Sequence, residues 1–120
     1  MSDDLYERAV AIAERAYAPY SQYHVGAAVR ARDGRIFEGV NVENASYPLG
    51  ICAERAALAR AVGEGCTPGD LAEIATTAAP CGGCRQWIYE FKLDRAVFKN
   101  AAGEIVSLTP AELLPESFEL

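Results

Sequence analysis

Little in this chain favours a nucleic acid, a membrane or a secretory route. Eleven Lys and Arg stand against 17 Asp and Glu, a net charge of −6, and no basic cluster occurs. A phosphate backbone is gripped by clustered cations, so no nucleic-acid partner is expected. The longest apolar runs are a few residues, far short of the roughly 20 that span a bilayer, so no membrane partner is expected either. The opening Met1-Ser2-Asp3-Asp4 is acidic, unlike the basic start of an export signal, and the expected location is the cytoplasm. There is no internal repeat, low-complexity tract or linker. Histidine occurs once. His24 opens a strand-like segment and reads as a surface or pocket-rim residue rather than a metal ligand.

What is present supports a packed fold. Hydrophobic residues make up 51% of the 120 positions and charged residues only 23%, enough apolar material for a core. The length fits one domain over residues 1–120. The four cysteines, Cys52, Cys66, Cys81 and Cys84, are read in a reducing compartment as thiols or metal ligands rather than disulfides.

Periodicity predicts a helix over 4–17, with Leu5, Ala9, Ile12 and Ala16 on one face and Pro19 as its stop. Residues 25–32 and 35–41 read as antiparallel strands joined by a two-residue turn at Asp33-Gly34. A helix over 52–62 closes at Gly63 and Gly65. A strand follows near 71–77, a helix over 81–92, and strands over 95–98 and 105–108. Thr109-Pro110 caps and starts a short last helix. This order implies an α/β fold of three layers, α-β-α, around one mixed five-stranded sheet with a parallel crossover in its second half.

The sharpest local signal is Pro80-Cys81-Gly82-Gly83-Cys84. Cysteines three apart aim two sulfurs at one ion, and the glycines are expected to let the backbone wrap close to it. At a helix N-terminus the dipole favours the thiolate that zinc requires. Cys52 is the best third ligand, at another helix start, giving C-x28-C-x2-C. Three protein ligands leave one position for water, the catalytic arrangement of zinc. Glu54, two residues beyond Cys52, can reach that position as a general acid/base without being a ligand. Three thiolates weaken the metal's acidity, and a neighbouring cation would offset this. Arg55 is well placed for that, and Arg85 is a second candidate. Other readings stay open on the residues alone. Cys81 and Cys84 could be a redox pair, Cys66 could complete a closed structural zinc site, or the chain could be a non-catalytic zinc module.

Cys52-Ala53-Glu54 followed by Pro80-Cys81-Gly82-Gly83-Cys84 resembles the signature of the zinc nucleobase deaminases. The segments from Tyr20 to Ala28, Gly39 to Tyr47, Cys52 to Arg55 and Pro80 to Gln86, and Leu113-Leu114-Pro115 with Phe118, resemble the small cytidine deaminases in order along nearly the whole chain. The resemblance is to their short, three-cysteine, homotetrameric class. It implies one Zn2+ per subunit on Cys52, Cys81 and Cys84, with Glu54 catalytic. It implies hydrolysis of cytidine and deoxycytidine to uridine and deoxyuridine, with sites shared between subunits. By the same resemblance Asn41 and Glu43 take the ribose 3′-hydroxyl and Tyr23 lines the base pocket. The Ala53 backbone reads the pyrimidine edge, and the Cys81 N–H steadies the ring carbonyl. Phe118 covers the base of a neighbouring subunit's site, Tyr47 lies at the subunit contacts, and Arg55 tempers the thiolate charge. An alternative within the same metal chemistry is a deaminase of another aminated base or of a blasticidin S-like nucleoside antibiotic. The chain departs from the family in a shorter segment before Pro80 with Ala79 for a common serine, in Trp87 for a smaller aliphatic residue, and in Tyr23 for Phe.

Overall fold

The computed structural model describes residues 2–120, so part of the acidic opening stretch lies outside the described residues. Helix α1 spans Ser2–Ile12 and gives way to a 3₁₀ turn at Ala13–Arg15. Strands β1 (Gly26–Ala31) and β2 (Ile36–Val40) follow, then a 3₁₀ turn at Tyr47–Leu49 and helix α2 (Ala53–Gly63). The chain continues through β3 (Leu71–Thr76), α3 (Gly82–Glu90), β4 (Arg95–Lys99), β5 (Ile105–Leu108) and α4 (Pro110–Leu113). The sheet order is β2-β1-β3-β4-β5. Only the β3–β4 pair is parallel; the other three neighbours are antiparallel. The five strands and the mixed sheet are those expected from the sequence.

Side-chain alternation sorts the layers. Ala27, Val29 and Ala31 of β1, Ile74 of β3, and Ala96 and Phe98 of β4 face one core with Ala57, Leu58 and Ala61 of α2 and Ile88 of α3. Ala28, Ala75 and Val97 point the other way and bury Leu5 and Ala9 of α1. Two glycines let helices sit very close to the sheet. A Cβ on Gly26 would lie 2.1 Å from the Ala9 carbonyl oxygen, and one on Gly39 would lie 2.4 Å from the Ala57 nitrogen and 2.7 Å from the Ala53 carbonyl oxygen. Gly39 therefore sets the height of the first turns of α2 above β2. Gly39→Ala should cost about 3 kcal/mol, the upper end of overpacking, because the obstacle is backbone and cannot swing away. Gly63→Ala, on the same helix with nothing within 4 Å of the new methyl, should leave stability unchanged or raise it. Denaturant unfolding of both variants checks this, and equal stability would contradict it.

Two expectations change in detail. The first helix ends at Ile12 and its 3₁₀ continuation at Arg15, not at residue 17, because Ala16 is already extended. The chain there is claimed by a parallel bridge between Tyr17 and Val42, with Tyr17 N donating to Asn41 O at 3.0 Å and Glu43 N to Tyr17 O at 2.9 Å. Between the bonded pair Ala31 and Arg35 the β1–β2 turn holds three residues, not two. Ala31 N donates to Arg35 O and Gly34 N to Ala31 O, and of this loop only Gly34 has positive φ (+97°). A type I′ turn needs positive φ at both central residues, so the chain takes the three-residue loop with glycine at its left-handed position.

Candidate metal centre

Two helix N-termini converge on one point. Cys52 is the N-cap of α2 and Cys81 the N-cap of α3. Cys84 sits one turn into α3 and is fully buried. The three sulfurs lie within 4.8 Å of one another, and Cys52 Sγ is 3.9 Å from Cys81 Sγ. Tetrahedral zinc with bonds of about 2.3 Å would hold sulfurs about 3.8 Å apart, so the spacing fits. All four cysteines are free thiols. Cys66 is buried elsewhere in the core, where Arg35 Nη2 approaches its Sγ at 3.6 Å, and His24 is not part of the thiol cluster.

The electrostatics also fit a cation. Burial pushes the Cys84 thiol far above its ordinary pKa, and the Glu54 carboxylate and the Cys52 and Cys81 sulfurs push it further. Burial acts upward on Cys81 too, but hydrogen bonds from Cys84 and Gly83 leave it below its ordinary value; the Cys84 amide donates to Cys81 Sγ at 3.4 Å. Three ionised sulfurs so close together need a cation among them, and zinc favours such thiolates. Arg55 Nη2 donates to Cys52 Sγ at 3.3 Å, a contact through which a guanidinium can temper thiolate charge. The hydrogen bonds of Arg85 go to backbone carbonyls instead of to a thiol. Its Nε donates to Pro80 O at 2.9 Å and its Nη1 to Leu113 O at 3.1 Å, so it ties α4 to the metal loop through backbone carbonyls. The two glycines that open α3 are not forced by protein contacts either. Nothing lies within 4 Å of a Cβ built on Gly82, and one on Gly83 would sit 3.9 Å from Cys81 Sγ.

Glu54 occupies the first turn of α2 and is only 3% exposed. Burial raises its carboxyl above the usual carboxylate range, against the pull of its own amide and of Arg55. The Thr76 hydroxyl and Cys84 thiol draw it down slightly. Thr76 Oγ1 is itself buried and lies outside good hydrogen-bond geometry to any partner among the described residues. A carboxyl raised toward neutrality can accept and return a proton.

A cavity of about 610 Å³ adjoins the cluster and is lined by Cys52 and Arg55 together with Tyr20, Ser21, Asn41, Glu43 and Tyr47. The short antiparallel bridge between Val42 and Ile51 brings Asn41 and Glu43 beside Cys52. Asn41 Oδ1 accepts from Val25 N at 2.8 Å and its Nδ2 donates to Tyr23 O at 2.9 Å. Glu43 Oε1 accepts from Tyr20 N at 3.0 Å and Ser21 N at 3.1 Å. No spacing in the sequence announces these bonds to the 20–25 loop, although Tyr20 and Ser21 belong to the Tyr20–Ala28 segment. Ala53 is fully buried at the start of α2. Tyr23 is 62% exposed and Phe118 70% exposed, and neither lines this cavity. Trp87 stacks on Phe91, with ring centroids 5.8 Å apart and planes 6° from parallel, and packs on the main core.

Residues 1–100 match the family described as the cytidine and deoxycytidylate deaminase zinc-binding region. The chain is 43% identical over 122 aligned positions to a cytidine deaminase of Halalkalibacterium halodurans, covering 95% of this chain and 91% of that protein. It is 44% identical to a cytidine deaminase of Sporosarcina psychrophila over 88% of this chain and 82% of the other. The crystal structure of cytidine deaminase from Burkholderia pseudomallei superposes with a TM-score of 0.90 at 44% identity, covering 98% of this chain and 99% of that one.

Proposed function

This chain belongs to the cytidine deaminase family, and from that membership we propose that it removes the amino group of cytidine and deoxycytidine by hydrolysis, giving uridine or deoxyuridine and ammonia. The supporting observation is a nearly buried carboxyl, Glu54, next to a three-thiol cluster whose member Cys52 lines a cavity that also carries Asn41 and Glu43. A purely structural zinc module has no use for that carboxyl.

Cys52, Cys81 and Cys84 would hold the zinc. When bound, the ion supplies Lewis acidity, which makes water a nucleophile near neutral pH. Glu54 takes a proton from the attacking water and delivers it to ring N3 as the oxygen bonds to C4. Glu54 then carries the second proton to the amino nitrogen, the C4–N bond breaks, and ammonia leaves. The Ala53 backbone orients the pyrimidine edge, and the Cys81 N–H steadies the ring carbonyl. Asn41 and Glu43 bind the 3′-hydroxyl. An ionised carboxylate accepts a hydroxyl hydrogen and repels a phosphate, which favours free nucleosides over nucleotides. Ultraviolet assays across aminated nucleosides, nucleotides and free bases test this reading. Turnover confined to cytidine and deoxycytidine supports it; preference for a base, a nucleotide or an antibiotic contradicts it.

Residues 1–120 form one domain in this reading, and the protein works in the cytoplasm as a homotetramer. Tyr47 (91% exposed), Leu49 (71%) and Phe118 (70%) are more apolar surface than a lone subunit needs to show. Their burial between copies would let Phe118 of a neighbouring copy cover the base pocket that Tyr23 lines. Sedimentation equilibrium should return four chain masses, and an active monomer would contradict shared sites.

A further inference from the structure

We infer that Ser21 is the positioning residue for the sugar: with the Tyr20 amide it locks the Glu43 carboxylate in one orientation and leaves it a single acceptor site for one hydroxyl. The inference rests on the reading of Glu43 as the sugar's acceptor. Glu43 Oε1 takes the Tyr20 and Ser21 N–H groups at 3.0 and 3.1 Å, which fills both of its lone pairs. Oε2 takes the Ser21 hydroxyl, so one of its lone pairs remains. The Ser21 hydroxyl is held in turn, because its oxygen accepts the Tyr23 N–H at 3.0 Å. A chain of donors thus runs from Tyr23 through Ser21 into the carboxylate, each bond polarising the next.

The same loop is fastened from its other end by Asn41, which bonds Tyr23 O and Val25 N. Between Ser21 and Tyr23, Gln22 sits at φ +62°, a left-handed conformation uncommon outside glycine that persists when its surroundings over-determine it. The bonds to Asn41 and Glu43 supply that constraint. The Ser21 hydroxyl is also the leading reason that the Glu43 carboxyl titrates below the usual range, followed by burial acting upward and by the two amides, with His24 lowering it further. Arg55 and the Tyr20 and Tyr47 side chains line the same cavity. A glutamate without such bonds samples many rotamers, and freezing it on binding weakens affinity by about tenfold. A carboxylate already fixed and ionised avoids that loss, and its one spare site suits a single neutral hydroxyl.

Steady-state kinetics of the zinc-loaded protein test this with cytidine and 3′-deoxycytidine. Ser21 is exposed, so Ser21→Ala should fold normally. It should raise KM for cytidine about tenfold with kcat little changed, and Ser21→Thr, which keeps the hydroxyl, should restore most of the affinity. For 3′-deoxycytidine Ser21→Ala should change KM little, because the hydroxyl that uses the spare site is gone. The acid-side rise of KM for cytidine should also start at higher pH in Ser21→Ala, since Glu43 loses the donor that holds its pKa down. An unchanged KM for cytidine, or an equal rise for both substrates, would overturn the inference. Glu43→Gln separates the two levels. If it leaves KM for cytidine untouched, the reading of Glu43 itself fails; if it raises KM while Ser21→Ala does not, only the role of Ser21 fails.

Discussion

Glu54→Gln should lose at least about 10²–10⁴-fold in kcat, the usual contribution of a general acid/base, while the protein stays folded and keeps one zinc per chain. Glutamine fills the buried space of Glu54, which is 3% exposed, so the loss cannot be blamed on a cavity. It carries no proton that it can give and take back. Two proton transfers are assigned to this one carboxyl, so both the attack and the departure of ammonia suffer. Glu54→Ala should be at least as inactive. If Glu54→Gln, folded and zinc-loaded, turned over cytidine at a near-native rate, the assignment of Glu54 would fail. Enzyme kinetics together with metal analysis decide the matter.

Cys84→Ser should abolish stoichiometric zinc and with it activity. Its sulfur is fully buried and shares the cluster with Cys52 and Cys81. A serine hydroxyl is a poor substitute for a soft thiolate, and two remaining sulfurs are too few for a tetrahedral site. Zinc that binds the native state stabilises it by mass action, so the variant should also melt at a lower temperature than the zinc-loaded parent. A chelator should lower the parent's melting temperature but leave that of Cys84→Ser unchanged. Cys66→Ser is the control: Cys66 is buried in the main core away from the cluster, so stability falls there but zinc content holds. Full zinc occupancy in Cys84→Ser would refute the assigned ligands.

The metal centre was legible because its parts are local. A CxxC at a helix start and a cysteine-x-glutamate at another are set by spacing and by the N-terminal ends of two helices, and the sheet only has to bring those ends together. The Thr109-Pro110 start of α4 was legible for the same reason, and Glu112 completes a capping box there. What escaped was decided by contacts distant in sequence. The early end of α1 follows from the Tyr17–Val42 bridge. The duties of Arg85 follow from where the carbonyls of Pro80 and Leu113 happen to lie. Asn41 and Glu43 were singled out by resemblance alone. Their bonds to the 20–25 loop depend on a fold that returns that loop over the end of β2, which no periodicity in the chain encodes. The close seating of α2 on Gly39 is likewise a tertiary fact.

X-ray absorption at the zinc edge of the purified protein examines the ligand set directly. One tightly bound zinc per chain with three sulfurs at about 2.3 Å and one oxygen neighbour is the predicted result. Four sulfur neighbours, or a metal-free protein that still deaminates cytidine, would contradict it.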